Sequence, residues 1–298
     1  MEFIDAYLGE TFALVCALTW AVAVVLFRKS GETVHPIALN LYKSILAAIL
    51  LVPTILIIED ELFRDVPLSD YLIALLSGAI GIGLADTVFF KSLNRLGAGL
   101  SAVVQCLYSP FIILLSSIWL TESMSTQQAL GTALIVSAVL TAVSKPEDSS
   151  LTRRAVLVGL LWGASYLFAN AVGIVMVKPL LDRSPLLWVT EVRILGGILV
   201  LLPLIYFHPK RREMIKTVYA ARGWGYTLAG SFVGSYLAMI LWLAGMKYTQ
   251  ASIAAALNQT ATIFIFILAT IFLKEKLTTL RVVGVVLGVA GALLVMFG

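Results

Sequence analysis

The chain has 298 residues, of which 60% are hydrophobic and only 13% charged, with a mean hydropathy of +0.99. A soluble protein carries about 25% charged residues, so a soluble fold of this length cannot hide that much apolar surface and the bilayer is the expected solvent. The net charge of +4 and pI near 9.0 do not point to nucleic acid, because the basic residues are scattered over short loops. No short apolar stretch precedes a long polar domain, so no cleavable signal peptide is expected. Cys16 and Cys106 lie inside apolar segments, which excludes a disulfide framework or a multi-cysteine metal site and leaves them as packing thiols.

A membrane-crossing helix needs about 20 apolar residues. Ten stretches qualify: 11–27, 36–58, 70–90, 98–119, 126–143, 155–177, 185–207, 223–245, 251–273 and 279–297. The first span carries Trp20. The second carries Lys43, seven residues past Pro36 and so about 10 Å into its helix. The third carries Asp86, five residues before Lys91 and about 7 Å from that end of the span. Lys43 lies at comparable depth from the same side, so an ion pair between the two is expected. The fourth span holds Gln105, Tyr108 and Pro110, and the proline removes a backbone hydrogen bond. Ser125 and Gln128 have the spacing of a capping box at the start of the fifth span.

In the sixth span Trp162, Tyr166 and Asn170 follow one another at four-residue spacing and share a helix face. The seventh holds Glu191 and Arg193, which are two apart and do not face each other; Glu191 reads as a residue near the membrane interface. Asn258 and Gln259 lie in the ninth. The glycine pairs 159/163, 230/234 and 284/288 have the spacing of close helix contacts, within the chain first and through the tenth span of a homodimer second.

The second half repeats the first. A shift of 153 places Gly81 on Gly234, Ala98 on Ala251, Gln105 on Asn258, Phe111 on Phe264, Glu122 on Glu275 and Gly131 on Gly284. A local shift of 150 places Lys43 on Arg193 and Pro53 on Pro203, and one of 142 places Trp20 on Trp162. Pro110 falls on Ile263, so a helix break is expected in the first half only. Five spans per repeat is an odd number, so the second repeat enters the membrane in the opposite sense. The expected fold is an all-α polytopic membrane protein of ten transmembrane helices in two inverted five-helix repeats, 1–145 and 155–298, joined by a linker at 146–154. With Lys43 and Arg193 set aside, fifteen Lys and Arg fall on one side and four (Arg64, Lys178, Arg183 and Lys247) on the other. The positive-inside rule then puts both termini outside the cytoplasm of a cell (inner) membrane.

An intramembrane charge is costly and is by default a functional hypothesis; the alternative is snorkelling to the interface. Lys43 and Arg193, with Trp20, Gln105, Tyr108, Trp162, Tyr166, Asn170, Asn258 and Gln259, form the candidate substrate-binding set. The competing reading is interhelical hydrogen bonding and ordinary aromatic packing. Asp86 is the candidate for proton coupling, against a fixed ion pair that never titrates. Glu122 and Glu275 are expected to shape the reversals after the fourth and ninth spans.

Each half thus carries a basic residue in its second helix, an alanine-rich start to its fourth, a glutamate after that helix and a glycine in its fifth. The first half supplies Lys43, Ala98 to Ala102, Pro110-Phe111, Glu122 and Gly131; the second supplies Arg193, Ala251 to Ala256, Phe264, Glu275 and Gly284. Over nearly the whole chain this pattern resembles the drug/metabolite transporter superfamily, in its EamA-like ten-helix branch. Ile263 in place of a proline, Lys43 in place of an arginine and Asp86 depart from it.

The resemblance implies a basket in which the first, third, fourth, sixth, eighth and ninth spans surround a cavity, with the fifth and tenth peripheral. The expected function is a secondary transporter moving a small polar or amphipathic metabolite, an amino acid or organic anion, by alternating access. No GxxxxGK[ST] loop is present, so ATP is not the direct energy source. The alternatives are a polytopic membrane enzyme and a passive channel or sensor. The enzyme has only His35 and His208 at helix edges to offer and no HExxH motif. No cofactor is expected; the expected partners are a small-molecule solute and the lipid bilayer, with no nucleic acid, and the chain is a monomer or a homodimer.

Overall fold

The computed structural model describes residues 7–120, 125–144, 153–219, 223–275 and 279–296, and the regular elements among them are all helical. In chain order they are α1 (Leu8–Ser30), α2 (Pro36–Ile58), α3 (Leu68–Gln105), α4 (Tyr108–Trp119), α5 (Thr126–Ser144), α6 (Arg153–Arg183), α7 (Leu186–Tyr206), α8 (Arg211–Tyr219), α9 (Trp224–Tyr248), α10 (Ala251–Asn258), α11 (Ala261–Leu273) and α12 (Thr279–Met296). Among the described residues seven stretches are long and apolar enough to cross a membrane: α1, α2, α3, α6, α7, α9 and Ile253–Leu273 across α10 and α11. The apolar α4 and the Val282–Val295 part of α12 are shorter. Large apolar side chains such as Ile49, Ile57, Leu161 and Ile271 stand outward and exposed, as lipid-facing residues do. The molecule is a multi-pass membrane protein.

An unbroken α3 of 38 residues would run about 57 Å, nearly twice the roughly 30 Å hydrocarbon core. Gly97 supplies the turning point, with φ 77° and ψ 174° inside the helix. The predicted boundary between the third and fourth spans falls on it. Glu275, beyond the end of α11, accepts hydrogen bonds from the Ala98 and Gly99 amides at 2.8 and 2.9 Å. Sequence reading had confined it to its own reversal. A carboxylate across two orphan helix N–H groups is a favourable cap. Glu59 at the end of α2 does the same for α7, accepting from Leu187 and Trp188 at 2.8 and 3.0 Å. The end of α2 therefore lies beside the start of α7, and the end of α11 beside the residues that follow Gly97. The Ser125–Gln128 capping box forms in both directions, at 3.1 Å each way.

Local irregularities recur at the 153 offset. Both α3 and α9 contain a π-helical turn, at Ala79–Leu84 and Ser231–Leu237. The predicted fourth and ninth spans are both interrupted. The amides of Cys106 and Leu107 bond three residues back, to Val103 and Val104, and those of Gln259 and Thr260 bond to Ala256 and Leu257. A break was expected in the first half alone. Proline is not needed in the second, because the Thr260 hydroxyl donates to the Leu257 carbonyl at 2.8 Å and such back-bonding bends helices.

Two further corrections concern the second half. The helix α6 runs on through Pro179 to Arg183, so Lys178 and Arg183 are helical and not loop residues, and Lys178 is buried. The short helix α8 between the predicted seventh and eighth spans was not foreseen; it docks Met214 and Val218 and leaves its charged face exposed. Glu122 and linker positions 146–152 lie outside the described residues.

Backbone crossings fix the centre. A Cβ on Gly78 would lie 1.7 Å from the Arg193 carbonyl oxygen, and one on Gly196 2.1 Å from that of Leu75. The first part of α3 and α7 thus touch main chain to main chain, as small residues permit in membranes. Gly131 and Gly291 hold α5 and α12 together in the same way, each Cβ position 2.6 or 2.7 Å from the other's carbonyl oxygen.

Candidate functional site

A cavity of about 110 Å³ lies between the helices. Charged residues reach it from three of them: Lys43 from α2, Asp86 from α3 and Arg193 from α7. Lys43 and Arg193 are 4% and 2% exposed, so neither snorkels out. The Lys43 ammonium donates to Asp86 Oδ2 at 2.7 Å, the pair expected from their matching depths.

Arg193 differs. Its Nε donates to Ser77 Oγ at 2.9 Å, and that hydroxyl donates to the Gly173 carbonyl at 2.6 Å. Its Nη1 has no hydrogen-bond partner among the described residues, and the guanidinium has no carboxylate partner there. The sequence explains the asymmetry. The 153 shift carries Asp86 onto Met239, which also lines the cavity. The second half keeps the cation and lacks its counter-ion.

The two helix breaks bring polar groups to the same space. Gln105 accepts from the Trp20 indole N–H at 3.0 Å, while its Nε2 is without a partner among the described residues. The same holds for the Tyr108 hydroxyl and for Asn258 Oδ1. Gln259 and Thr262 line the cavity beside them. Asn170, also a lining residue, donates to the Gly81 carbonyl of the π turn at 3.2 Å. Aromatic rings close the rest: Trp20 on Phe89 with centroids 5.6 Å apart, Phe89 on Tyr166 at 4.9 Å, and Tyr108 on Trp242 at 5.7 Å.

Of the residues singled out from sequence, Trp162 does not line the cavity. It sits one turn before Tyr166 with the guanidinium of Arg95, two residues before Gly97 in α3, over its ring at 5.3 Å. Glu191 is buried within the protein, only 6% exposed. Sequence reading missed Ser77, Phe89 and Trp242. Helical spacing carried a signal for two of them. Ile82, Asp86 and Phe89 form one face of α3, and Ser235, Met239 and Trp242 form one face of α9. The 153 shift superposes these two sets.

The profile of the EamA-like transporter family matches the chain twice, over residues 7–144 and 157–297. An uncharacterized transporter of Archaeoglobus fulgidus is 23% identical over 95% of this chain and 96% of its own length. Protein PecM of Dickeya dadantii is 24% identical over 93% of this chain and 88% of its own. A solved crystal structure superposes with a TM-score of 0.69 at 17% identity, covering 98% of this chain and 96% of that one, a likeness of fold. The family and relatives such as that of A. fulgidus carry the names of transporters and not of enzymes. The chain belongs to the EamA-like transporter family of the drug/metabolite transporter superfamily.

Proposed function

We propose that the chain is a secondary transporter of a small organic anion, built as ten transmembrane helices in two inverted halves that open a shared cavity to each side in turn. The observation that carries the choice of an anion is Arg193. Lys43 and Asp86 neutralise each other, so the cavity retains one positive charge. A solute carboxylate on Arg193 gains charge-assisted hydrogen bonds and relieves a buried donor of its missing partner. Gln105 Nε2 and the Tyr108 hydroxyl offer further donors, and the aromatic wall suits an apolar remainder.

The inverted arrangement draws support from the caps. The α2 and α7 helices correspond under the 150 shift, yet the end of one meets the start of the other through Glu59. The predicted fourth and ninth spans meet in the same antiparallel sense through Glu275. Recurrent helix breaks around a central site fit the pattern of transporters with internal repeats. The excess of Lys and Arg on one side supports termini outside the cytoplasm of a cell membrane. With no nucleotide-binding loop, an ion gradient or solute exchange supplies the energy.

Counterflow in proteoliposomes tests the reading, with a panel of radiolabelled small aliphatic and aromatic monocarboxylates. At least one is exchanged by the wild type, and Arg193→Ala lowers its rate about tenfold or more, as expected for a lost charged hydrogen bond. Exchange at the wild-type rate in Arg193→Ala removes the anion assignment.

A further inference from the structure

The buried and half-buried carboxylates Asp70, Asp86, Glu59, Glu275 and Glu191, all among the described residues, divide into two kinds. Asp86 has Lys43, and Asp70 receives Arg183 in two bonds at 2.7 and 2.9 Å. Glu59 and Glu275 each accept two backbone amides. Glu191 has none of these: among the described residues it makes no ion pair, and its buried Oε2 has no hydrogen-bond partner. Helical spacing places it with Leu187, Ile194 and Ile198 on one face of α7. Those residues join an apolar cluster with Ala48, Leu51 and Ile55 of α2 and Met239 and Ile240 of α9.

Most charged and titratable groups on the elements packed against α7 are engaged elsewhere. On α2 these are Lys43, bonded to Asp86, and Glu59, on the amides that open α7. On α3 they are Asp70, with Arg183, and Tyr71, on the Arg64 backbone. On α9, Tyr236 bonds Thr54 and Lys247 bonds the Leu181 and Ser184 carbonyls. On α6, Lys178 bonds Asp182. None of them bonds Glu191 among the described residues, and neither do Tyr42, Lys91, Arg95, Tyr166, Tyr226 or Tyr248. An isolated ionised carboxylate in such surroundings is costly, and uptake of a proton removes that cost.

The cluster is also a neighbour of the cavity, since Ile82 and Met239 belong to both. Arg193 lies two residues along the same helix on the other side. We propose that Glu191 carries the proton that crosses with the anionic solute held by Arg193, making the transporter a proton–anion symporter. With the cluster closed, Glu191 is the neutral acid. When α7 moves against α2 and α9 and water enters, the carboxyl releases its proton as Arg193 releases the anion. One rigid helix thus couples the two, and a monoanion and a proton together carry no net charge across the membrane. The coupling rests on the anion-carrier reading; the proton site does not.

Full-length protein in proteoliposomes is treated with dicyclohexylcarbodiimide, which adds to protonated carboxyls in apolar surroundings, and the adduct is mapped by mass spectrometry at acid, neutral and alkaline pH. An adduct on Glu191 is expected, fading as pH rises. It is retained in Asp86→Asn and Glu191→Asp and lost in Glu191→Gln; Glu191→Asp keeps the acid should the glutamine variant fold poorly. In the same vesicles, uptake of the transported monocarboxylate is stimulated by an inward proton gradient in the wild type and loses that stimulation in Glu191→Gln. No adduct at Glu191 at any pH overturns the proton site. An adduct with gradient-insensitive uptake overturns the coupling. Absence of uptake across the carboxylate panel overturns the anion reading and the coupling with it, while the adduct alone decides the proton site.

Discussion

Lys43 and Asp86 illustrate why a buried pair is held by both members. Removing one charge leaves the other uncompensated in a low-dielectric site, which costs about 3–5 kcal/mol, whereas apolar replacement of both is often neutral. Asp86→Ala is therefore expected to lower thermal stability in detergent strongly, and the Lys43→Met/Asp86→Leu double variant to recover most of the loss. Equal destabilisation by the single and double variants contradicts this. The same double variant leaves Arg193 in place, so on the proposed reading anion exchange is expected to survive it.

At the membrane edge His35 caps α2, its Nδ1 accepting the Ile37 amide at 3.3 Å, with the His208 ring 6.0 Å away. Partial burial, with His208 and Lys91 nearby, holds its imidazole below the ordinary value of 6.5. A folded-state value below the unfolded one favours the neutral ring in the folded protein. Its contribution is complete above the unfolded value and is lost as pH falls through the lower folded one. Melting curves across that acid range are expected to show less pH dependence in His35→Asn, where an amide can cap without titrating.

Among elements, Gly97 and its cap set the boundary that makes one 38-residue helix into two spans. Its φ and ψ belong to a region open almost only to glycine, and an added Cβ would come within 2.8 Å of Glu275 Oε1. Gly97→Ala is expected to cost about 1–3 kcal/mol, read as a lower midpoint of thermal unfolding; an unchanged midpoint contradicts the account. Much of this level was legible in the sequence. Hydropathy located the seven described stretches long and apolar enough to cross a membrane, and the repeat shift tied Lys43 to Arg193 and Gln105 to Asn258. Matching depths anticipated the Lys43–Asp86 pair. What escaped was what depends on a third partner. Trp162 shares a helical face with Tyr166, yet Arg95 from another helix claims it. The burial of Glu191 follows from which faces of α2 and α9 meet α7. The second helix break arises from a threonine hydroxyl and needs no proline.

The whole molecule consists of two related halves, which the proposed architecture sets antiparallel around one cavity. The break after Gln105 and its counterpart after Asn258 put polar groups from both halves at that cavity, where only the first half brings a counter-ion for its cation. On the proposed reading, the asymmetry of Asp86 against Met239 gives a near-symmetric scaffold a site with a preferred charge. A carrier of this design is expected to expose Gln105 and Asn258 from opposite faces in its two states.

The most direct measurement is the sidedness of two loop positions that correspond under the 150 shift, Asp60 after α2 and Lys210 after α7. Single cysteines placed there, in a chain without Cys16 and Cys106, are labelled in intact cells with a membrane-impermeant maleimide. The account predicts labelling of Asp60→Cys from outside and protection of Lys210→Cys until the membrane is opened. Labelling of both from the same side contradicts it.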